Sequence, residues 1–142
     1  YILVHHKMKD TFVKLLIHEI EKALGTNPEE SPDFARIINL KNWHRQLGLL
    51  ENQKILYGGQ SNIETLYLAP TLLDEPKRDS LVMNEEIFGP ILPILSYQSN
   101  SDIDTIISSF EKPLSLYLFS QNKSFIDEIL QKYSFGGGCI KY

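Results

Sequence analysis

From Ile94 onward the apolar residues alternate between two periods, and that alternation leaves few folds open to the chain. Ile94 to Gln98 reads as a strand. Ile103, Ile106, Ile107 and Phe110 then recur at helical spacing. They follow Ser101-Asp102-Ile103-Asp104, which has the form of a capping box with Asp in the Glu position. Leu114 to Ser120 reads as a second strand. Phe125, Ile126, Ile129, Leu130 and Tyr133 make a second helical stripe, with Ser120 or Asn122 available as its cap. Cys139-Ile140-Lys141-Tyr142 begins a third strand. Strands joined through helices by short links imply right-handed crossovers and a parallel sheet. The expected class is therefore α/β, a parallel sheet with a βαβαβ unit. Pro93 has no N–H to give to a ladder, so the first of these strands should start at or after it. Gly136-Gly137-Gly138 follows a helix, whereas phosphate-binding glycines precede one, so it reads as a helix stop leading into a close-packed strand.

The earlier part of the chain is less regular. Tyr1-Ile2-Leu3-Val4 reads as a short buried strand, and Phe12, Leu15, Leu16, Ile20, Ala23 and Leu24 define a helix from about Lys9. Asp10 could cap its start and Gly25 its end. Thr26 to Asp33 is a loop. Asn39 is the expected N-cap of a helix with Leu40, Trp43, Leu47 and Leu50 on one stripe. Lys54 to Tyr57 and Leu66 to Thr71 read as strands, with Gly58-Gly59-Gln60-Ser61-Asn62 turning the chain between them, and Asp74 to Ser80 as an exposed loop.

A chain of 142 residues, 42% hydrophobic and 23% charged, fits one globular domain, here a single partial domain over 1–142. A formal net charge of −4 argues against a nucleic-acid partner. The longest apolar stretch, around Ile87 to Tyr97, is too short for a membrane helix and contains two prolines. The first residues show no basic region followed by an apolar core and cleavage site. Opening on Tyr1 and directly on an apolar run, the chain reads as a piece of something longer.

Chemistry concentrates in Met83-Asn84-Glu85-Glu86-Ile87-Phe88-Gly89-Pro90. An ionised carboxylate only accepts, which suits a ligand offering paired hydroxyls such as a ribose diol. Phe88, two residues on from Glu86, would share its face on an extended chain. Gly89 allows tight backbone geometry and Pro90 fixes the exit direction. Cys139, the single cysteine, follows a helix C-terminus whose partial negative charge opposes a thiolate, so it reads as a small buried strand residue. His5, His6, His18 and His44 make no metal-site spacing; on a strand His5 and His6 point to opposite faces. Lys112 reads as a solvated helix-end charge.

Glu-Glu-Ile-Phe-Gly-Pro followed by an apolar strand resembles the signature of the aldehyde dehydrogenase superfamily. Arg36-Ile37-Ile38-Asn39, Tyr67-Leu68-Ala69-Pro70-Thr71 and Lys112-Pro113-Leu114-Ser115-Leu116-Tyr117-Leu118-Phe119-Ser120 are similar to its class 3 branch. The resemblance covers nearly the whole chain in one register. It implies the later part of the catalytic domain of an enzyme that oxidises aldehydes to carboxylic acids with NAD or NADP and no metal. By motif, Glu86 accepts hydrogen bonds from the nicotinamide ribose and Phe88 packs near the nicotinamide ring. The family's nucleophilic cysteine resembles a position just upstream of Tyr1, and its general base, its oxyanion asparagine and its pyrophosphate turn also lie upstream. No catalytic residue is thus expected within the chain, which should be inactive alone. The family usually continues after the glycines into a strand with Asn-Asp or a similar pair, where this sequence has Lys141-Tyr142. The resemblance further implies a homodimeric, cytoplasmic parent, with plastid or tail-anchored parents as alternatives. The competing reading is a non-catalytic product that only docks on a full-length homologue.

Overall fold

The computed structural model describes residues 1–141, which fall into two compact units, Tyr1–Thr105 and the remainder from Ile106. The first unit is built on a four-stranded sheet with the order β1-β6-β5-β2. Its strands are β1 (Ile2–His5), β2 (Ile55–Tyr57), β5 (Thr71–Asp74) and β6 (Ile91–Tyr97). β6 lies parallel to both neighbours, with Ile94 opposite Ile2 and Ile91 opposite Thr71, while β2 runs antiparallel to β5. Ile91, Ile94, Leu95, Leu72 and Leu73 are buried, so the inner strands read as continuous apolar runs, as strands covered on both faces do. Ser61–Asn62 (β3) pairs antiparallel with Tyr67–Leu68 (β4), so the expected turn residues Ser61 and Asn62 belong to a small ladder of their own.

Pro93 lies inside β6, not ahead of it. Direction explains this. Thr71 N–H donates to Pro90 O at 2.7 Å and Glu75 N–H to Ile94 O at 3.0 Å, so the even-numbered residues of β6 turn their polar groups towards β5. Pro93 turns its nitrogen the other way, towards β1, whose register with β6 begins only at Ile94. No ladder bond is lost there.

Helix α1 (Lys9–Leu24) starts from a short turn, His6–Met8, and ends on Gly25 at φ +82°. Met8 holds the N-cap position, so Asp10 sits within the first turn and does not cap. His6 therefore leaves the strand, and its ring lies 4.7 Å from that of His5, which meets Tyr97 edge-on at 5.4 Å. Helix α2 (Leu40–Leu50) is capped by Asn39, whose Oδ1 accepts from Asn42 N–H at 2.8 Å. Its buried stripe is Trp43, Gln46 and Leu49, rotated from the expected Leu40, Leu47 and Leu50. Trp43 Nε1 donates to Tyr67 O at 2.9 Å, which anchors the indole in the core.

Helix α4 (Asn100–Ile107) spans the boundary between the units and has its capping box two residues earlier than expected. Ser99 Oγ accepts from Asp102 N–H at 3.3 Å, and Asp102 Oδ2 accepts from Ser99 N–H at 3.0 Å. The reciprocal pair is Ser99 with Asp102, because Asp102 also takes the Gln98 N–H at 2.9 Å.

In the second unit β7 (Ser115–Phe119), α5 (Lys123–Lys132) and β8 (Gly137–Lys141) form one crossover, with β7 and β8 parallel. The strand and helix order is the expected one. β7 and β8 pair with each other in a two-stranded sheet. Asn122 caps α5, accepting from Phe125 N–H at 3.2 Å. The helix ends at Tyr133, so Gly137 and Gly138 are strand residues, not its stop. A Cβ at Gly136 would lie 2.6 Å from Leu114 O and one at Gly138 2.8 Å from Leu116 O, so the close-packed strand is real. Tyr142, expected in that strand, lies outside the described residues. Cys139 is exposed, contrary to the buried residue expected. It shares a sheet face with Tyr117 and Phe119, and that face is solvent-exposed, whereas Ile126 and Ile129 of α5 are buried.

One charged network closes the carboxyl end of β5. Lys9 Nζ lies 2.5 Å from Asp74 Oδ1 and 2.5 Å from Glu75 Oε1, and Lys54 Nζ lies 2.5 Å from Asp74 Oδ2. Burial alone would raise both carboxyls, but the hydrogen bonds from Lys54 and Lys9 to Asp74, and from Lys9 and Ser96 to Glu75, hold both below the usual carboxylate range. Burial opposes the charge on Lys9, but its two carboxylate partners prevail and its pKa is raised. The carboxylates thus stabilise the fold above about pH 4, and that contribution is lost as pH falls through their lowered values; the Lys9 contribution is lost only as pH rises beyond about 10.4. We expect Lys9→Met to cost about 1–3 kcal/mol at neutral pH, between the ranges for exposed and buried pairs. Urea unfolding at neutral and acidic pH checks this: the deficit should shrink on acidification, and a pH-independent deficit would contradict it.

Candidate functional site

The segment from Glu85 to Pro90 connects α3 (Leu81–Asn84) to β6 and is shaped from below by α2. Val82 and Met83 bury the short helix in the core, and Asn84 Nδ2 donates to Arg78 O at 2.7 Å and Ser80 O at 2.9 Å. The loop's beginning is thereby fixed to the preceding turn. Its end is fixed as well, because Pro90 O accepts the Thr71 N–H at 2.7 Å.

Two consecutive residues of α2 hold the middle. Arg45 Nη1 donates to Glu86 O at 3.2 Å and Nη2 to Ile87 O at 2.5 Å, with Nη1 also 3.5 Å from Glu85 Oε2. Gln46 Nε2 donates to the same Ile87 O, and the Gln46 residue is wholly buried. Gln46 Oε1 is buried without a hydrogen-bond partner. Gly89 faces this amide: a Cβ there would lie 2.2 Å from Gln46 Oε1. A side chain at position 89 would have to displace the buried end of Gln46. The strained backbone belongs to its neighbour, Phe88, at φ +46°.

That positive φ breaks the extended geometry on which a shared face for Glu86 and Phe88 was expected. Both side chains nevertheless reach solvent, with Phe88 79% exposed. The Glu86 carboxylate has no hydrogen-bond or ion-pair partner among the described residues, while Glu85 beside it is engaged by Arg45. Glu86 is therefore an acceptor with its capacity unspent, next to a bare aromatic, on a loop whose carbonyls are tied down. A ligand presenting adjacent hydroxyls and a flat ring matches those groups.

Cys139 and Lys112 lie in the second unit. The Cys139 thiol donates to Ile140 O at 3.8 Å. Lys112 is exposed in the link before β7 and, lying beyond the end of α4, is not a helix-end charge. Phe119, Ser120, Gln121 and Lys141 line a shallow open depression in the second unit that contains no carboxylate.

Arg45 and Gln46 were not singled out from the sequence. One signal was available: Gln46 falls three residues from both Trp43 and Leu49, a polar side chain on an apolar stripe. A buried amide at such a position needs a backbone partner, and Ile87 O provides it.

Comparisons with known proteins identify the family. The aldehyde dehydrogenase family description matches residues 1–140. The 4,4'-diaponeurosporen-aldehyde dehydrogenase of Staphylococcus aureus is 46% identical over 142 residues, 99% of this chain and 31% of that protein. The dimeric NADP-preferring aldehyde dehydrogenase of Bos taurus is 39% identical over 137 residues, 96% of this chain and 57% of that protein. A solved structure of the substrate-bound state of Staphylococcus aureus AldH superposes with a TM-score of 0.93 at 46% identity, covering 99% of this chain and 31% of that one. The chain thus spans about a third of the Staphylococcus relative that it matches throughout. It belongs to the aldehyde dehydrogenase family.

Proposed function

We propose that this chain holds the nicotinamide end of NAD or NADP within a larger enzyme that oxidises aldehydes to carboxylic acids. Glu86 is the residue that accepts hydrogen bonds from the ribose hydroxyls, and Phe88 packs beside the nicotinamide ring. The bound nicotinamide supplies the hydride acceptor; this chain's residues orient it. A charge-assisted bond to each hydroxyl fixes the sugar, and a fixed sugar limits where the ring can point. The bovine relative's name favours NADP and a dimer for that protein, and on that basis a homodimeric parent with either nucleotide is proposed here.

The observation that carries this reading is the parallel register of β1 with β6. Ile2 lies opposite Ile94, so chain continuing upstream of Tyr1 in the same register would run beside Leu92 and Ile91 towards the Glu86 loop. The resemblance assigns the family's nucleophilic thiol to that upstream chain. Thiol and ribose hold would then meet at one end of the sheet, with no catalytic residue required from the segment itself.

Titrating the isolated chain with NADH and following nucleotide fluorescence tests the division of labour. Association costs about 4–15 kcal/mol in lost freedom, whereas a hydrogen bond to a charged group returns about 1.5–3 kcal/mol. No saturable binding is expected without the phosphate and adenine contacts. Saturation at micromolar nucleotide would contradict the proposal that the chain holds only the nicotinamide end.

A further inference from the structure

We propose that Arg45 and Gln46 are positioning residues for the Glu86–Phe88 loop, setting through its carbonyls where the acid and the aromatic are presented. This rests on the ribose assignment for its functional meaning, but the structural part stands alone. Three side-chain donors converge on two consecutive carbonyls: Arg45 Nη1 on Glu86 O, and Arg45 Nη2 with Gln46 Nε2 on Ile87 O. The very next residue, Phe88, adopts the left-handed conformation at φ +46°, which is strained for a residue with a Cβ. An exposed aromatic has no packing to offset that strain, so the clamp on Ile87 O is what offsets it.

The buried amide makes the arrangement selective. Gln46 has one polar atom on Ile87 O and the other, Oε1, buried without a partner. Packing alone would be served better by leucine or methionine, which leave no unpaired acceptor. Gly89 gives up its Cβ to admit the amide, so two positions of the chain accommodate one hydrogen bond. Arg45 contributes a planar fork that reaches both carbonyls at once, which the single ammonium of lysine cannot reproduce.

The test is limited chymotryptic cleavage of the full chain. Phe88 is an exposed cleavage site whose attack requires the loop to open, and Tyr117, 66% exposed in the second unit, serves as internal reference. Arg45→Met keeps the aliphatic stem and removes the donors. Cleavage after Phe88 should accelerate about tenfold or more while cleavage after Tyr117 stays unchanged, as loss of local protection requires. Arg45→Lys should fall between Met and wild type. Unchanged cleavage after Phe88, or equal acceleration at both sites, would overturn the proposal. Gln46→Met supplies a second variant with the same expectation and the same refuting results.

Kinetics in a full-length enzyme carrying this segment separates the two readings. Arg45→Met should lower kcat and raise the nucleotide KM together, with partial rescue by Arg45→Lys. Loop opening at Phe88 combined with wild-type kinetics would leave the positioning intact and refute the ribose assignment instead.

Discussion

Replacing Gly58 with alanine is expected to cost about 3 kcal/mol or more, enough to leave a marginally stable chain largely unfolded. Gly58 has φ +82°, and a Cβ there would meet Pro70 O at 1.9 Å, Pro70 C at 2.9 Å and the Thr71 Cα at 3.0 Å. All three neighbours are backbone atoms of buried residues at the start of β5, so no side chain can swing aside. Gly25 is the natural control. It has the same φ of +82° and nothing within 4 Å of its built Cβ. With ψ 174° Gly25 occupies a backbone region essentially reserved for glycine, so Gly25→Ala should cost only that conformational strain, about 1–3 kcal/mol and less than Gly58→Ala. Urea unfolding of both variants at low protein concentration separates strain from collision, and equal costs would contradict the account. The consequence extends to the site. Thr71 N–H holds Pro90 O, so moving the start of β5 displaces the exit of the Glu86 loop.

The parts of this fold legible in the sequence are those governed by local rules. Asn39 and Asn122 cap the helices expected of them, because an Asn ahead of an apolar stripe has a backbone N–H within reach. The β7-α5-β8 crossover follows from period and link length. What stayed hidden depends on which neighbour a strand or helix meets. Pro93 could not be placed inside β6 without knowing that its nitrogen turns towards the edge where β1 has not yet begun to pair. Cys139 was expected to be a small buried strand residue because the preceding helix C-terminus argued against a thiolate, yet it is exposed, as are Tyr117 and Phe119 on its face of the sheet.

The site divides in the same way. Glu86 and Phe88 could be picked out from the sequence as candidate groups, and the roles proposed for them come from the family resemblance. The mechanics of the site could not be read there. The stretch Glu85 to Pro90 contains no hint that Arg45 and Gln46, some forty positions earlier, would grip its carbonyls. Gly89 looked like a source of backbone freedom and is instead a space for an amide, while the unusual backbone angle falls on Phe88, a residue type that rarely accepts it.

We propose that the Glu86 carboxylate holds a ribose diol so that a ring is aimed at a thiol carried by the segment upstream of Tyr1. Steady-state kinetics of Glu86→Gln in a full-length enzyme carrying this segment tests it most directly, because glutamine keeps the volume and one acceptor but loses the charge. A charged hydrogen bond of about 1.5–3 kcal/mol corresponds to roughly a 10- to 100-fold change. The account predicts a fall in kcat of that size, a primary isotope effect appearing with deuterated aldehyde as hydride transfer becomes rate-limiting, and little change in the aldehyde KM. Wild-type turnover with no isotope effect would contradict it.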